Sequence, residues 1–299
     1  TWLNHFNNKI WNAFRLIKGW STSEEEQPAT NAIAVKWFEA KLRQANQELN
    51  DLFSKYRISE ALMVVYKLFW DEFSSWYLEM IKPSYGSPID KKTFEATLQF
   101  FETLLKMLHP FMPFITEELW QHIYTREEGQ SIMCEKLTLD AFSTEDSHLI
   151  DEIENVKLIV TNIRAVRNQK NISPKVELEL HTISQTRYAN YNSVKKMANL
   201  NNIVEVQEKA ANCALFMIGT DEFAIPVGDM VDHEAELAKQ EAQLKHLEGF
   251  LAGIQKKLSN EKFIANAPAA VVELEQKKAK DSEEKIAALK QSIAELKQK

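Results

Sequence analysis

The sequence predicts a mainly α-helical protein in three parts: a helical bundle over 1–144, a small α+β junction module over 145–228, and an antiparallel coiled-coil hairpin over 229–299. Three observations carry this reading. Apolar residues in the first part recur at helical spacing in four successive stretches. Only 7 glycines occur among 299 residues, which argues against a sheet-rich protein with glycine-lined loops. Two heptad tracts flank a break at about 259–267 near the end of the chain.

In the first part, Leu3, Phe6, Ile10, Phe14 and Ile17 mark one face of a helix that ends near Gly19. Ser21 to Thr30, with Glu24, Glu25, Glu26 and Pro28, is expected to be a solvated link. A second helix follows through Trp37, Leu42, Leu49, Leu52 and Phe53. Ser59 is the expected N-cap of a third, which carries Leu62, Val65, Phe69, Phe73, Trp76 and Tyr77 until Pro83. Asp90 caps a fourth with Phe94, Leu98, Phe101, Leu105 and Leu108. Pro110 and Pro113 then force an elbow, which Phe111, Met112, Phe114 and Ile115 are expected to bury against the bundle. Thr116 is read as the cap of the next helix, with Glu117 and Glu118 in its first turn, where a positive helix end suits them. His109, beside a proline and among bulky apolar residues, reads as a structural histidine.

The second part changes character. A helix from about 146 to 169 carries Ile153, Val156, Ile159, Val160 and Ile163 and stops at Asn171-Ile172-Ser173-Pro174. Val176, Leu178 and Leu180 alternate as a half-buried strand, and Ile203, Val204 and Val206 fit another. Leu215 to Ile218 and Phe223 to Val227 flank Gly219-Thr220-Asp221-Glu222, a hairpin turn.

In the third part, Leu237, Leu244, Leu247, Leu251, Ile254 and Leu258 alternate in steps of three and four, with Gln240 at one polar seam position. Val272, Ala279, Ile286, Leu289, Ile293 and Leu296 continue the pattern beyond Pro268, which breaks an arriving helix and fits the first turn of a new one. Arms of roughly 30 residues would project about 45 Å at 1.5 Å per residue. Such heptads pair either within one chain or between two. The similar tract lengths and short break favour one chain and a monomer. Glu275 and Ser282 weaken the seam of the second arm, so the base of the hairpin is expected to be its stronger half.

Composition narrows the function. Cys134 and Cys213 are far apart and form no metal-like pair, which fits a reduced, cytoplasmic setting. No apolar run is long enough to cross a bilayer, so no membrane partner is expected. The chain opens on Thr1 and enters a helical pattern almost at once, and it reads as a piece of something larger. The net charge of −7 argues against a general nucleic-acid binder, but past Leu251 the balance turns basic. No catalytic residue and no metal ligand set is assigned, since the sequence carries no Cys/His cluster of zinc spacing and no nucleophile elbow.

Recognition remains. Asn8, Lys9, Trp11, Asn12 and Arg15 supply hydrogen-bonding edges and a ring suited to splayed bases. Asn8, Asn12 and Arg15 share a face away from Phe6, Ile10 and Phe14, whereas Trp11 fits either burial in the bundle or stacking. Arg164, Arg167 and Lys170 follow steps of three near the end of the junction helix, with Lys175 beyond, and could bind phosphate or complement the negative helix end. Lys256, Lys257 and Lys262 cluster at the expected tip of the hairpin, with Phe263 among polar residues, as phosphate contacts or a solvated face.

Several of these stretches resemble a known family. Lys257-Leu258-Ser259-Asn260, Phe263, Ala267-Pro268 and Val271-Val272 are similar to the C-terminal coiled-coil arm of valyl-tRNA synthetases. Asn8-Lys9-Ile10-Trp11-Asn12-Ala13, Phe69-Trp70-Asp71-Glu72-Phe73, Trp76-Tyr77-Leu78-Glu79, the His109-to-Trp120 elbow and Ser131-Ile132-Met133 resemble the anticodon-binding helical bundle of the class I synthetases for valine, isoleucine, leucine and methionine. The resemblance implies an anticodon-binding role for Asn8, Lys9, Trp11, Asn12 and Arg15. It also implies a tRNA-backbone role for Arg164, Arg167, Lys170, Lys256, Lys257 and Lys262, with valine tRNA as partner. Where the family often places an aromatic residue after the arginine, this chain has Leu16. The family's His-Ile-Gly-His and Lys-Met-Ser-Lys-Ser signatures for ATP are missing, so this part of a ligase is expected to be inactive alone and to hold no cofactor, ATP and magnesium belonging to the whole enzyme. The alternatives are the same region of an isoleucyl- or leucyl-tRNA synthetase, or a coiled-coil scaffold that binds protein.

Overall fold

The computed structural model describes residues 2–183, 190–207, 213–227, 233–259 and 269–296. Four long helical segments and one shorter helix build the bundle: α1 (Trp2–Lys18), α2 (Ala29–Ser54), α3 (Ile58–Lys67), α5 (Lys91–Leu108) and α6 (Pro113–Ile123). The third segment does not end with α3. It runs on through ten π-helical residues, Leu68–Tyr77, into the short α4 (Leu78–Ile81). That looser winding puts Phe69, Phe73 and Tyr77 in the core, where Phe38 lies 5.2 Å from Phe73, 5.0 Å from Tyr77 and 5.3 Å from Phe100. Each such side chain contributes about 1.5–3 kcal/mol on burial, and aromatic pairing adds about 0.5–1.5 kcal/mol.

Asp90 caps α5 as expected, accepting the Thr93 N–H at 2.8 Å. Its second oxygen takes Asn31 Nδ2 at 3.0 Å, so one buried carboxylate joins two helices. Three other sequence expectations are corrected. The link after α1 is not wholly solvated: Thr22–Ser23 (β1) pairs in parallel with Ile89–Asp90 (β2). Ser59 lies inside α3, whose N-cap is Arg57; the chain has already turned at Tyr56 (φ 57°), and Arg57 forks onto Glu60. Pro113, with no N–H to satisfy, opens α6, so Thr116 falls within the helix and Glu117 and Glu118 beyond its first turn.

The module begins with α7 (Thr144–Gln169), started by a reciprocal capping box between Ser143 and Asp146. Asp146 also accepts Arg43 Nη1 at 2.8 Å, fastening α7 to α2. Lys157 on α7 reaches Glu72 at 2.9 Å and stands 5.6 Å from the rings of both Trp37 and Trp76. Beyond α7 come β3 (Leu178–Thr182), α8 (Tyr191–Ala198), β4 (Leu200–Glu205), β5 (Cys213–Ile218) and β6 (Asp221–Pro226), in sheet order β4-β3-β6-β5. β3 and β4 are parallel; the other pairings are antiparallel. Ile218 faces Asp221 directly, so the hairpin turn is Gly219-Thr220 alone, with Gly219 at φ 59°. The helix α8 has no counterpart in the sequence reading. Lys196 on it donates to the Met80 carbonyl at 2.7 Å and Asn31 Oδ1 at 3.2 Å, which seats the module on the bundle.

Two long helices complete the chain, α9 (His233–Leu258) and α10 (Ala269–Leu296). Lys290 meets Glu248 at 2.8 Å, Gln255 meets Glu283 at 3.5 Å and Lys257 meets Glu275 at 3.6 Å, in opposite order along the two helices. Ile254 and Ile286 are buried between them, and so are Glu275 and Ser282. The two polar positions Glu275 and Ser282 are therefore inside the contact between the helices.

Candidate nucleic-acid interface

Helix α1 divides cleanly by face. Phe6, Ile10, Ala13 and Ile17 are buried, while Asn8, Trp11, Asn12, Arg15 and Leu16 are exposed. Trp11 is 42% exposed, with its ring 6.0 Å from that of Phe14, so it is not a core residue. Lys9 is only partly exposed; its ammonium lies 4.6 Å from the Trp70 ring, which stacks on Tyr66. The polar row and a half-open indole thus stand side by side on a rigid helix.

The elbow borders this helix. Thr116 Oγ1 lies 2.8 Å from both the Met112 carbonyl and His109 Nδ1, so His109 is structural, as read from sequence. Glu117 is engaged too: it accepts Ser131 Oγ at 2.7 Å, Gln121 Nε2 at 2.8 Å and the Ile132 N–H at 3.2 Å. Burial pushes its carboxyl up, but these hydrogen bonds outweigh burial and hold it below the ordinary glutamate value. Phe114 does not join the burial of the elbow. It is 90% exposed, at the second position of α6.

One member of the basic set on α7, Arg167, is corrected. Arg167 is 5% exposed and donates to four backbone carbonyls, those of Ser173, Val176, Ala198 and Asn199, at 2.8–3.1 Å. Burial pulls its pKa below the usual arginine value. Arg164 pairs with Glu79, donates to the Met197 carbonyl at 3.3 Å and lies against Trp76. Arg167 is thus spent inside the module, whereas Arg164, with 39% of its side chain exposed, ties α7 to α4, and Lys170 and Lys175 stand exposed. On the arm, Lys256 and Lys257 are exposed in the last turn of α9, with Lys257 shared with Glu275; Lys262 and Phe263 lie outside the described residues.

Among the described residues, no group of three or more His, Cys, Asp or Glu side chains converges to hold a metal, and no helix is long and apolar enough to cross a membrane. What the surface offers is hydrogen-bonding edges, exposed rings and scattered cations, the chemistry of single-stranded RNA recognition.

Comparison with known proteins agrees. Residues 35–182 match the anticodon-binding domain of tRNA ligase, and residues 232–297 match the valyl tRNA synthetase tRNA binding arm. The chain is 56% identical over 294 residues to a valine–tRNA ligase of Phocaeicola vulgatus, covering 98% of this chain and 33% of that protein. It is likewise 56% identical over 297 residues to one of Bacteroides thetaiotaomicron, covering 98% and 34%. A more distant valine–tRNA ligase, from Brucella suis, is 30% identical over 286 residues, covering 92% and 31%. The chain spans about a third of the length of these relatives. The matched stretch, from within α2 to the end of β3, identifies an anticodon-binding domain of a tRNA ligase. Within that class, the match of α9 and α10 to the arm decides the branch: the chain belongs to the valyl-tRNA synthetase family.

Proposed function

We propose that this chain grips valine tRNA while the rest of a larger, monomeric cytoplasmic ligase forms valyl-adenylate with ATP and magnesium and transfers valine to the tRNA. The observation that carries this reading is that one chain holds both an anticodon-binding domain and a valyl-type arm. In this reading α1 faces the anticodon with Asn8, Lys9, Trp11, Asn12 and Arg15. The helices α9 and α10 form a coiled-coil hairpin that carries Lys256, Lys257 and Lys262 to the outer corner of the tRNA. Exposure of the α1 row supports the first assignment, and exposure of Lys256 and Lys257 in the last turn of α9 supports the second. Two free cysteines, Cys134 and Cys213, are compatible with a reducing compartment.

Titration of the chain against a panel of purified tRNAs at several salt concentrations tests the reading. Valine tRNA should bind more tightly than tRNAs with unrelated anticodons, and affinity should fall with salt at a slope of just under one per neutralised phosphate. Equal affinity across the panel would remove the base-reading role of α1.

A further inference from the structure

A nucleobase platform stands at the elbow, outside the α1 row. Phe111, Met112, Pro113, Phe114, Ile115 and Asn7 line an apolar concavity of about 330 Å³. Phe111 is anchored from behind by Phe53, their rings stacked 6.0 Å apart at 19°. Phe114 stands at 90% exposure on the rim. Asn7 closes one side of it, with its Oδ1 buried and without a hydrogen-bond partner.

The concavity continues the α1 surface. Asn7 borders the start of α6, and Lys18 Nζ donates at 3.3 Å to the Ile123 carbonyl at its end, so α6 runs beside α1 in the same direction. Trp11, one helical turn beyond Asn7, lies on the same flank. From the elbow onward the flank therefore presents Phe114, Asn7, Trp11 and, just round the helix, Arg15.

We infer that Phe114 is a stacking platform for one unpaired base of the bound RNA, seated over the apolar concavity beside Asn7; this rests on the tRNA-binding reading above. Three features select a base as the occupant. The concavity is roomy enough for a nucleobase, an exposed aromatic ring stands on its rim, and it is continuous with a polar and cationic row suited to RNA.

The test uses the 299-residue chain and a valine tRNA transcript carrying a fluorescent purine analogue at successive anticodon-loop positions. Phe114→Ala should leave thermal unfolding unchanged because the side chain is exposed, weaken binding roughly tenfold or more, and abolish the quenching of the analogue at one position. Phe114→Tyr should keep both affinity and quenching. If Phe114→Ala binds and quenches like the parent while Arg15→Ala loses affinity, the platform is overturned and the tRNA reading stands. If the parent chain binds no tRNA at any salt concentration, both fall. If Phe114→Ala instead converts a dimer to a monomer in sedimentation with tRNA binding intact, the concavity belongs to a second copy and the base assignment is wrong.

Discussion

Arg167 Nη2 donates to the carbonyl of Ala198 at 2.9 Å, joining the end of α7 to the end of α8 across 31 residues of chain. The same guanidinium holds the carbonyls of Ser173, Val176 and Asn199. One buried cation therefore closes the chain ends around the first two strands of the module, and its loss would strand several polar groups at once.

Arg167→Ala is expected to destabilise the module by about 3 kcal/mol or more, through the carbonyls left unpaired. Chemical denaturation should show this as an earlier module transition. The salt slope of tRNA binding at low denaturant should not change, whereas a slope reduced by about one would restore Arg167 as a phosphate contact.

Glu117 predicts a response to acid. Its folded pKa lies below the ordinary value, so its ionised form stabilises the fold above about pH 4.3, and that contribution is lost as pH falls through the folded value. Glu117→Gln should melt below the parent near neutral pH, and the gap should close on acidification. A gap that stays constant down to the acid limit would mean that the hydrogen bonds, not the charge, carry the effect.

Ile254→Asp puts an unpaired charge where a 3% exposed side chain packs against α10. Circular dichroism should show reduced helicity from the two long helices, while the bundle transition stays in place. Loss of both transitions together would show that the arm and bundle fold as one unit.

Lys256, Lys257 and Lys262 changed together to alanine should weaken tRNA binding and flatten the salt slope by about one unit for each phosphate no longer neutralised, without altering discrimination between anticodons. Arg15→Ala should do the reverse, reducing discrimination more than slope. Parent-like binding by the triple variant at every salt concentration would leave these lysines as a solvated face.

The bundle is legible in the sequence because its helices are long and amphipathic: Phe6, Ile10 and Ile17, or Leu98, Phe101 and Leu105, repeat often enough to fix one buried face. Asp90 is legible as a cap because an acidic side chain before a helical run has one ready use. The helix α8 is not, since its eight residues between Asn190 and Asn199, both in left-handed conformation, are too few to establish a period. Arg167 misleads for a different reason. Its spacing from Arg164 and Lys170 is that of a surface stripe, and only the folded chain brings four carbonyls to it. Phe114 misleads in the opposite sense: hydrophobicity predicts burial, while the helix that Pro113 opens leaves its second residue on the solvent side. On α1 the exposed row follows from helical phase alone, though the same phase leaves Trp11 at the boundary, where its packing on Phe14 decides its place.

Two helices whose seam was wholly aliphatic could shift by one heptad and find nearly the same fit. Glu275 is 8% exposed between α9 and α10 and takes Lys278 of its own helix at 2.8 Å and Lys257 of α9 at 3.6 Å, so a shift of one helix along the other would part it from Lys257. The two helices give up some cohesion there and favour the alignment in which Lys257 meets Glu275. Length along it is thereby calibrated: the last turn of α9 keeps one fixed station against its partner helix, as the graduated end of a ruler must.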